Sequence, residues 1–589
     1  MCGIFGYVGA ETNLGPAVLH ALKLLEYRGY DSWGIAVGND GRIDLEKRTG
    51  KIEDATVDLP RSDIGFGHTR WATHGGVTQP NAHPHLDCTG TLAVIHNGII
   101  DNFRDLRAEL IDRGHHFRSE TDSEVVAHML EEELRDTGVI LSRALSTVFE
   151  RLRGLNAVIA MDVRRHELVA AKTISPLVVG VGDSGVAIAS DALALRGHVD
   201  RVMFPNDGQL VRLSAAGVSL FDRRTLTELT PDFVPLQIDR GCTELGRFPH
   251  FMAKEMAEQP DVIDRLAAES EASITELAHE IERADDVYLV GCGTASYAAL
   301  TGSYLLAGIA KRQVTVAVGS EFSHYLPFLT ERSLVIALSQ SGETVDIIEA
   351  MQAARDRGAR LGALVNSPSS TLDRMVSIRV DLNAGPEQCV LSTKAYTAKV
   401  TALLLTAHVL KGTLGEGQEL VRRASTGIRA MLEDSWLRRV QKVAREIYRE
   451  DSLYVVGRGL AYPTALETAL KIKEVSYIHA EGFAGGELKH GVIALIAPGT
   501  PCVVFAPLDE TRSDMLSGAM ELKSRGGRII GISPEDDPAF DVHIPTPDVG
   551  DAAPLVNALP AQMLGYHTAL FRGNDPDKPR NLAKSVTVK

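Results

Sequence analysis

At 589 residues the chain is too long for one hydrophobic core, since single cores stop growing at about 250–300 residues, so two or three domains are expected. Lysine and arginine number 61 against 77 aspartates and glutamates, a formal net charge of −16 with no basic run; this disfavours nucleic acid as a partner and requires any phosphate to be held by local groups. The six cysteines, Cys2, Cys88, Cys242, Cys292, Cys389 and Cys502, are scattered without a CxxC pair, which argues against a zinc site or disulfide framework and for a reducing, cytoplasmic setting. The start MCGIFGYVGAET has no basic leader, and no window offers about 18 uninterrupted apolar residues, so no membrane segment is expected.

From Cys2 to about Phe221 short apolar strands (GIFGYVG, GIAVG, TLAVIHNG, NAVIAMD, LVVGVG, VAIAS, GQLVRL) alternate with glycine-rich turns, and helices are expected at 15–25 and 122–134. The pattern predicts a sheet-rich α+β domain. After a polar stretch at 227–249 the chain changes to helices alternating with parallel-type strands such as VYLVG, SLVIALS and RLGALVN, which puts a boundary near residue 240. DDVYLVGCGTASYAAL at 285–300 recurs as DSLYVVGRGLAYPTAL at 451–466, an offset of 166 residues, and implies two copies of one α/β fold, each with a strand, a GxG turn and a helix.

Four segments of the second half carry candidate chemistry. LSQSGET ends an apolar strand and opens a helix, so its hydroxyls, amide and helix N–H groups can cradle a phosphate, although it is not a GxxxxGK[ST] loop. GCGTAS places Ser296 where a dinucleotide fingerprint needs its third glycine, which weakens that reading. Glu467, Lys471 and Glu474 share one helix face and, taken alone, read as an ion-pair ladder, while PRNLAKSVTVK reads as a frayed tail.

In the first half Cys2 stands where removal of Met1 would leave a thiol nucleophile and an α-amine base on one residue. Its company is MCGIFGYVG, LEYRGYDSWGIAV, GHTRWATHGGVTQPNAHPH, VIHNGIIDNF and SETDSEVVAH, and together these resemble the N-terminal-nucleophile (class II) glutamine amidotransferases, most closely those of the glucosamine-6-phosphate synthase family. The resemblance implies that Cys2 attacks glutamine and that Asn97 and the Gly98 N–H form an oxyanion hole. It implies that Arg70 pairs with the glutamine α-carboxylate and Asp122 with its α-ammonium, and that Thr73, His74 and His83 line the pocket. Trp71 matches an aromatic gate to an ammonia passage. The histidines of HTRWATHG and NAHPH have no carboxylate or cysteine at helical ligand spacing, so no metal is expected. Trp33 replaces a residue that is more often small in the family and is expected to alter packing beside the glutamine pocket.

The second half resembles paired sugar isomerase (SIS) domains. By that resemblance Thr294, Ser339, Gln340, Ser341 and Thr344 hold the sugar phosphate, and Val390, Ser392 and Ala583 contact the sugar. Glu474 is implied as the base moving a proton between C1 and C2, Lys471 as its assistant, His490 as the ring-opening group, and Lys584 as the amine that forms a Schiff base with the open ketose. Ala295, Cys389, Leu391 and Val492 depart from the family's wording.

The implied fold is an αββα glutaminase (2–222), connecting helices (223–282), two doubly wound parallel-sheet SIS domains (283–424 and 445–579) and a tail (580–589) entering the sugar site. The implied activity, the first step of hexosamine synthesis, converts fructose 6-phosphate and L-glutamine to glucosamine 6-phosphate and glutamate, with ammonia passed internally. No cofactor is implied, and the sugar sites would be completed across a homodimer. Two alternatives stay open: a related amidotransferase acting on another keto-sugar phosphate, and a sugar-phosphate sensor without turnover.

Overall fold

The computed structural model describes residues 2–135, 138–236 and 244–587; Met1, Cys242 and the boundary expected near residue 240 fall outside the described residues. The chain forms two compact units, residues 1–240 with 585–589, and residues 241–584.

The first unit is a four-layer αββα sandwich, and its layering follows from period-two side-chain alternation. Strand Gly3–Gly9 lies between Ile64–Arg70 and Gly185–Ala189 in an eight-stranded antiparallel sheet. Its Ile4 and Val8 face inward, while Phe5 and Tyr7 face outward under helix Leu14–Leu25. In the second, seven-stranded sheet, Ala93 and Ile95 of strand Leu92–Gly98 meet the first sheet. Leu92 and Val94 face out against helices Phe103–Asp112, Glu124–Glu133 and Leu141–Arg151. Strands covered on both faces read as continuous apolar runs, as these do. Trp33, on strand Ser32–Asn39, is buried in the outer core beneath helix Leu14–Leu25, with the Arg48 guanidinium 5.4 Å from its ring centre.

The second unit opens with helices Phe251–Glu269 and Glu271–Arg283. Two five-stranded, all-parallel sheets follow. The first runs Thr315–Val318, Val287–Gly291, Leu334–Ser339, Arg360–Val365, Ile378–Asp381; the second runs His479–Ala484, Ser452–Gly457, Pro501–Phe505, Arg528–Ser533, Val542–Pro545. Both therefore have the strand order 2-1-3-4-5 of a doubly wound fold, with the ligand crevice at the carboxyl ends where the order reverses. Gly291 and Gly457 are glycine for one reason: a Cβ would lie 2.7 Å from the Ala295 backbone in the first copy and 2.2 Å from the Ala461 carbonyl in the second, so the helix packs directly on the turn. One apolar core runs through both copies, joining Leu289 and Ile336 to Val455 and Ile532 by way of helices Lys394–Lys411 and Ala553–Phe571.

Trp33→Ala is expected to cost about 3–5 kcal/mol, as for other large aromatic truncations in a packed core, and Trp33→Phe much less. Thermal denaturation of the two variants beside the parent checks this.

Candidate functional site

Clusters of chemistry-bearing side chains stand out in both units. In the first, strand Ile64–Arg70 puts His68 and Arg70 on one face, and strand Leu92–Gly98 ends in Asn97 and Gly98. The Cys2 thiol accepts the Trp71 N–H at 3.3 Å and faces the Trp71 carbonyl at 3.7 Å; Asn97 Nδ2 donates to the Cys2 carbonyl at 2.9 Å. Burial pushes the Cys2 pKa up, while the Trp71 N–H and Arg70 pull it down. Gly98 has φ +140°, and a Cβ there would sit 2.1 Å from the Leu155 carbonyl oxygen, so only glycine fits.

The Asn97 amide is oriented by a residue that the sequence did not single out. His68 Nε2 lies 3.0 Å from the His96 carbonyl and 3.1 Å from Asn97 Oδ1. A carbonyl only accepts, so Nε2 carries the proton, donates to both oxygens and leaves the Asn97 NH₂ turned toward Cys2. Burial lowers the His68 pKa to about 3 and keeps the ring neutral. His83 stacks on His68 with ring centres 4.1 Å apart, its Nδ1 accepts the His96 N–H at 3.3 Å, and burial keeps it neutral as well.

Arg70, 3 % exposed, donates to the carbonyls of His74, Gly75 and Gly76 and so shapes the loop after Trp71. Asp122 is equally buried and accepts the Ile100 N–H at 2.8 Å. Thr73 is exposed, His74 packs edge-on against Phe103, and Trp71 stands edge-on to Tyr30. Asp31 accepts the Ala72 N–H at 2.8 Å and anchors the same loop; no sequence signal distinguished it.

In the second unit, helix Ala461–Ser476 carries Glu467, Lys471 and Glu474. Lys471 Nζ lies 2.7 Å from Glu474 and 3.5 Å from Glu467; the Lys471 and Glu467 side chains are buried and Glu474 is half-buried, so the group is not a solvated ladder. Burial raises the Glu467 pKa to about 7 against the pull of Lys471; burial also opposes the Lys471 charge, but the two carboxylates outweigh it and hold that pKa above its usual value. Thr294 donates to Glu467 at 3.3 Å, which commits its hydroxyl to the carboxylate.

The tail brings Lys584 into a second buried cluster. Its Nζ lies 2.5 Å from Glu387, whose other oxygen accepts the Thr393 and Ala395 N–H groups. Burial opposes the Glu387 charge, but Lys584 and those donors prevail and lower its pKa to about 2. Burial lowers the Lys399 pKa to about 8, and burial together with Glu387 raises that of Glu255 to about 8. The buried Ser392 hydroxyl has no partner among the described residues, while Val390 donates its N–H to the Asp577 carbonyl and Ala583 is half-buried. Glu387, Lys399 and Glu255 escaped sequence reasoning because nothing local marks that they meet a lysine of the tail.

Ser339, Gln340, Ser341 and Thr344 form the turn between strand Leu334–Ser339 and helix Val345–Asp356, with Ser339 Oγ accepting the Gly342 N–H at 2.9 Å. The equivalent turn of the second copy is Ala506, Pro507, Leu508 and Asp509, and Asp509 accepts the Thr511 N–H and hydroxyl ahead of helix Arg512–Ser524. His490 ends the short helical turn Gly485–His490 and is exposed.

A glutamine amidotransferase domain model matches residues 68–197, and a SIS domain model matches 280–409 and 446–572. Over the full length of both chains, the sequence is 43 % identical to a glutamine–fructose-6-phosphate aminotransferase (isomerizing) of Thermus thermophilus and 40 % identical to one of Pyrococcus horikoshii. The chain belongs to the glutamine–fructose-6-phosphate aminotransferase (isomerizing) family. Among solved structures, the C-terminal domain of the glucosamine-fructose-6-phosphate aminotransferase of Francisella tularensis covers 57 % of this chain and is itself covered in full, at 30 % identity and a TM-score of 0.53. Escherichia coli tagatose-6-phosphate ketose/aldose isomerase, at 17 % identity and a TM-score of 0.50, shares the fold over 59 % of this chain and 99 % of its own.

Glu467 gives the family member a pH signature. The folded chain keeps this proton from about pH 4.5 to about 7, where the unfolded chain has released it, so stability falls as pH rises through that window. Glu467→Gln is expected to remove on the order of 3 kcal/mol of that dependence, read as the difference in urea midpoints at about pH 5 and about pH 8 between variant and parent.

Proposed function

We propose that this chain converts fructose 6-phosphate and L-glutamine to glucosamine 6-phosphate and glutamate, as a homodimer in a reducing, cytoplasmic setting. The carrying observation is the full-length likeness to family members bearing that activity in their names. The five described cysteines are free thiols, and no described helix is long and apolar enough to cross a membrane.

In the glutaminase half, with Met1 removed, the Cys2 thiol gives its proton to the α-amine, directly or through water, and attacks the glutamine side-chain carbonyl. Asn97 Nδ2, already turned toward Cys2, and the Gly98 N–H stabilise the oxyanion. Collapse releases ammonia, and water hydrolyses the glutamyl thioester to glutamate. Arg70 and Asp122 are buried charges that take the α-carboxylate and α-ammonium, and Trp71, Thr73, His74 and His83 line the pocket.

In the isomerase half, Ser339, Gln340, Ser341 and Thr344 hold the phosphate, with Thr294 nearby tying Glu467 in place. Lys584, once deprotonated, attacks the open ketose carbonyl; Glu387 accepts from the ammonium, and the unpartnered Ser392 hydroxyl is available to a sugar oxygen. Val390 and Ala583 complete the contacts. Ammonia passed internally displaces the lysine, and Glu474, paired with Lys471, moves the proton between C1 and C2. The exposure of His490 suits a ring-opening group offered to a second copy of the chain.

The departures at Cys389 and Leu391 do not favour another keto-sugar: both side chains are in the core, and the Cys389 thiol donates to the Pro576 carbonyl at 3.4 Å. A panel of ketose phosphates offered with glutamine tests the reading, and no preference for fructose 6-phosphate would overturn it. Cys2→Ala is expected to abolish glutamine use while leaving ketose–aldose isomerisation; loss of both would show that the two sites are inseparable.

His68→Ala is expected to free the Asn97 amide and lower kcat for glutamine hydrolysis about tenfold with little change in KM. That is less than the about 10²–10³ lost with an oxyanion donor itself. His68→Gln, which keeps a donor, is expected to recover most of the rate, and steady-state glutamate release measures both.

A further inference from the structure

Cys88, His115, His128 and Glu131 converge in the glutaminase unit, His128 being the last residue of the SETDSEVVAH segment. Cys88 follows the short strand His85–Leu86, His115 follows helix Phe103–Asp112, and His128 and Glu131 stand one turn apart on helix Glu124–Glu133. One donor atom from each lies within 4.8 Å of all the others. The Cys88 thiol is 3.7 Å from His115 Nδ1 and 3.6 Å from His128 Nδ1, and the Glu131 carboxylate is 3.0 Å and 3.2 Å from the same two nitrogens. A tetrahedral zinc with Zn–S of about 2.3 Å and Zn–N of about 2.0–2.1 Å has S···N edges of about 3.5 Å. The observed separations fit that figure.

The surroundings fit as well. His115 Nε2 lies 2.6 Å from Glu132, so Nδ1 is the nitrogen presented to the cluster and the ring is aimed by an outer carboxylate, as ligating histidines commonly are. Both imidazoles are buried, and His128 Nε2 has Glu124 3.7 Å away. One Glu131 oxygen collects the Cys88 N–H and both Nδ1 groups, and His115 faces carboxylates from both nitrogens. A divalent cation relieves that crowding, with the Cys88 N–H remaining on the carboxylate.

We propose that Cys88 Sγ, His115 Nδ1, His128 Nδ1 and a Glu131 oxygen form a closed structural Zn²⁺ site. One thiolate and two imidazoles select zinc over the hard cations Mg²⁺ and Ca²⁺. The absence of a CxxC pair argued against zinc in the sequence; here the ligands come from three separate segments that only the fold brings together. The ion pins the Cys88 loop and the His115 turn to helix Glu124–Glu133, two residues beyond Asp122.

The test uses the untagged full-length chain, incubated with zinc chloride, freed of excess by gel filtration and analysed for metal by mass spectrometry. The expected result is one zinc per chain, retained in Cys2→Ala, lost in Cys88→Ser and His128→Ala, and bound about tenfold more weakly in Glu132→Gln. Failure of the parent to retain zinc, or retention by Cys88→Ser with loss in Cys2→Ala, overturns the site. Should the variants fail to fold, X-ray absorption of the zinc-loaded parent decides: one sulfur with three nitrogen or oxygen ligands supports the site, and any other ligand set overturns it.

Discussion

Charge removed from water and answered by opposite charge is the constraint on which this molecule depends. Lys471 is fully enclosed, and so are Glu387 and nearly all of Lys584. An unpaired buried ion costs several kcal/mol, so each of these groups requires its partner in place. The same arrangement supplies reactivity: carboxyls that titrate near neutrality and amines held beside carboxylates are suited to moving protons, whereas solvated side chains of the same type are not. In the first unit the rule takes a neutral form. A stack of buried histidines stays uncharged and works by hydrogen-bond direction, with His68 setting which way the Asn97 amide points.

The fold was legible to different depths in the two halves. The doubled α/β unit announced itself through a constant offset, and the structure gives the reason: a glycine is required at the end of each first strand because a helix backbone rests on it. The sandwich was readable as many short strands, since alternate residues of Gly3–Gly9 and Leu92–Gly98 each find an apolar layer. The helix expected from residue 122 begins at Glu124; Asp122, two residues earlier, uses its carboxylate on the Ile100 N–H. Trp33, expected to alter packing beside the glutamine pocket, is buried in the core under helix Leu14–Leu25 and pairs with Thr69, the strand neighbour of Arg70.

Legibility of the candidate sites followed sequence distance. Residues within a motif, such as Cys2, Arg70, Asn97 and the Glu467–Lys471–Glu474 face, could be named because their neighbours carry the pattern. Glu387 and Lys584 stand 197 positions apart, and His115 and Cys88 belong to different loops, so neither pairing has a local signature. His68 was within reach: it lies two residues before Arg70 on one strand and therefore shares its face.

The two α/β copies share strand order and core, and each carries an acidic side chain in the turn after its third strand, Glu343 accepting the Thr371 N–H in the first and Asp509 the Thr511 N–H in the second. On the proposed function, the duplicated fold is put to unequal use: the hydroxyl-rich turn ahead of helix Val345–Asp356 belongs to the first copy, and the helix carrying Glu467, Lys471 and Glu474 to the second. Duplication thus supplied two scaffolds joined by one core, on which side chains could diverge while the backbone plan stayed the same.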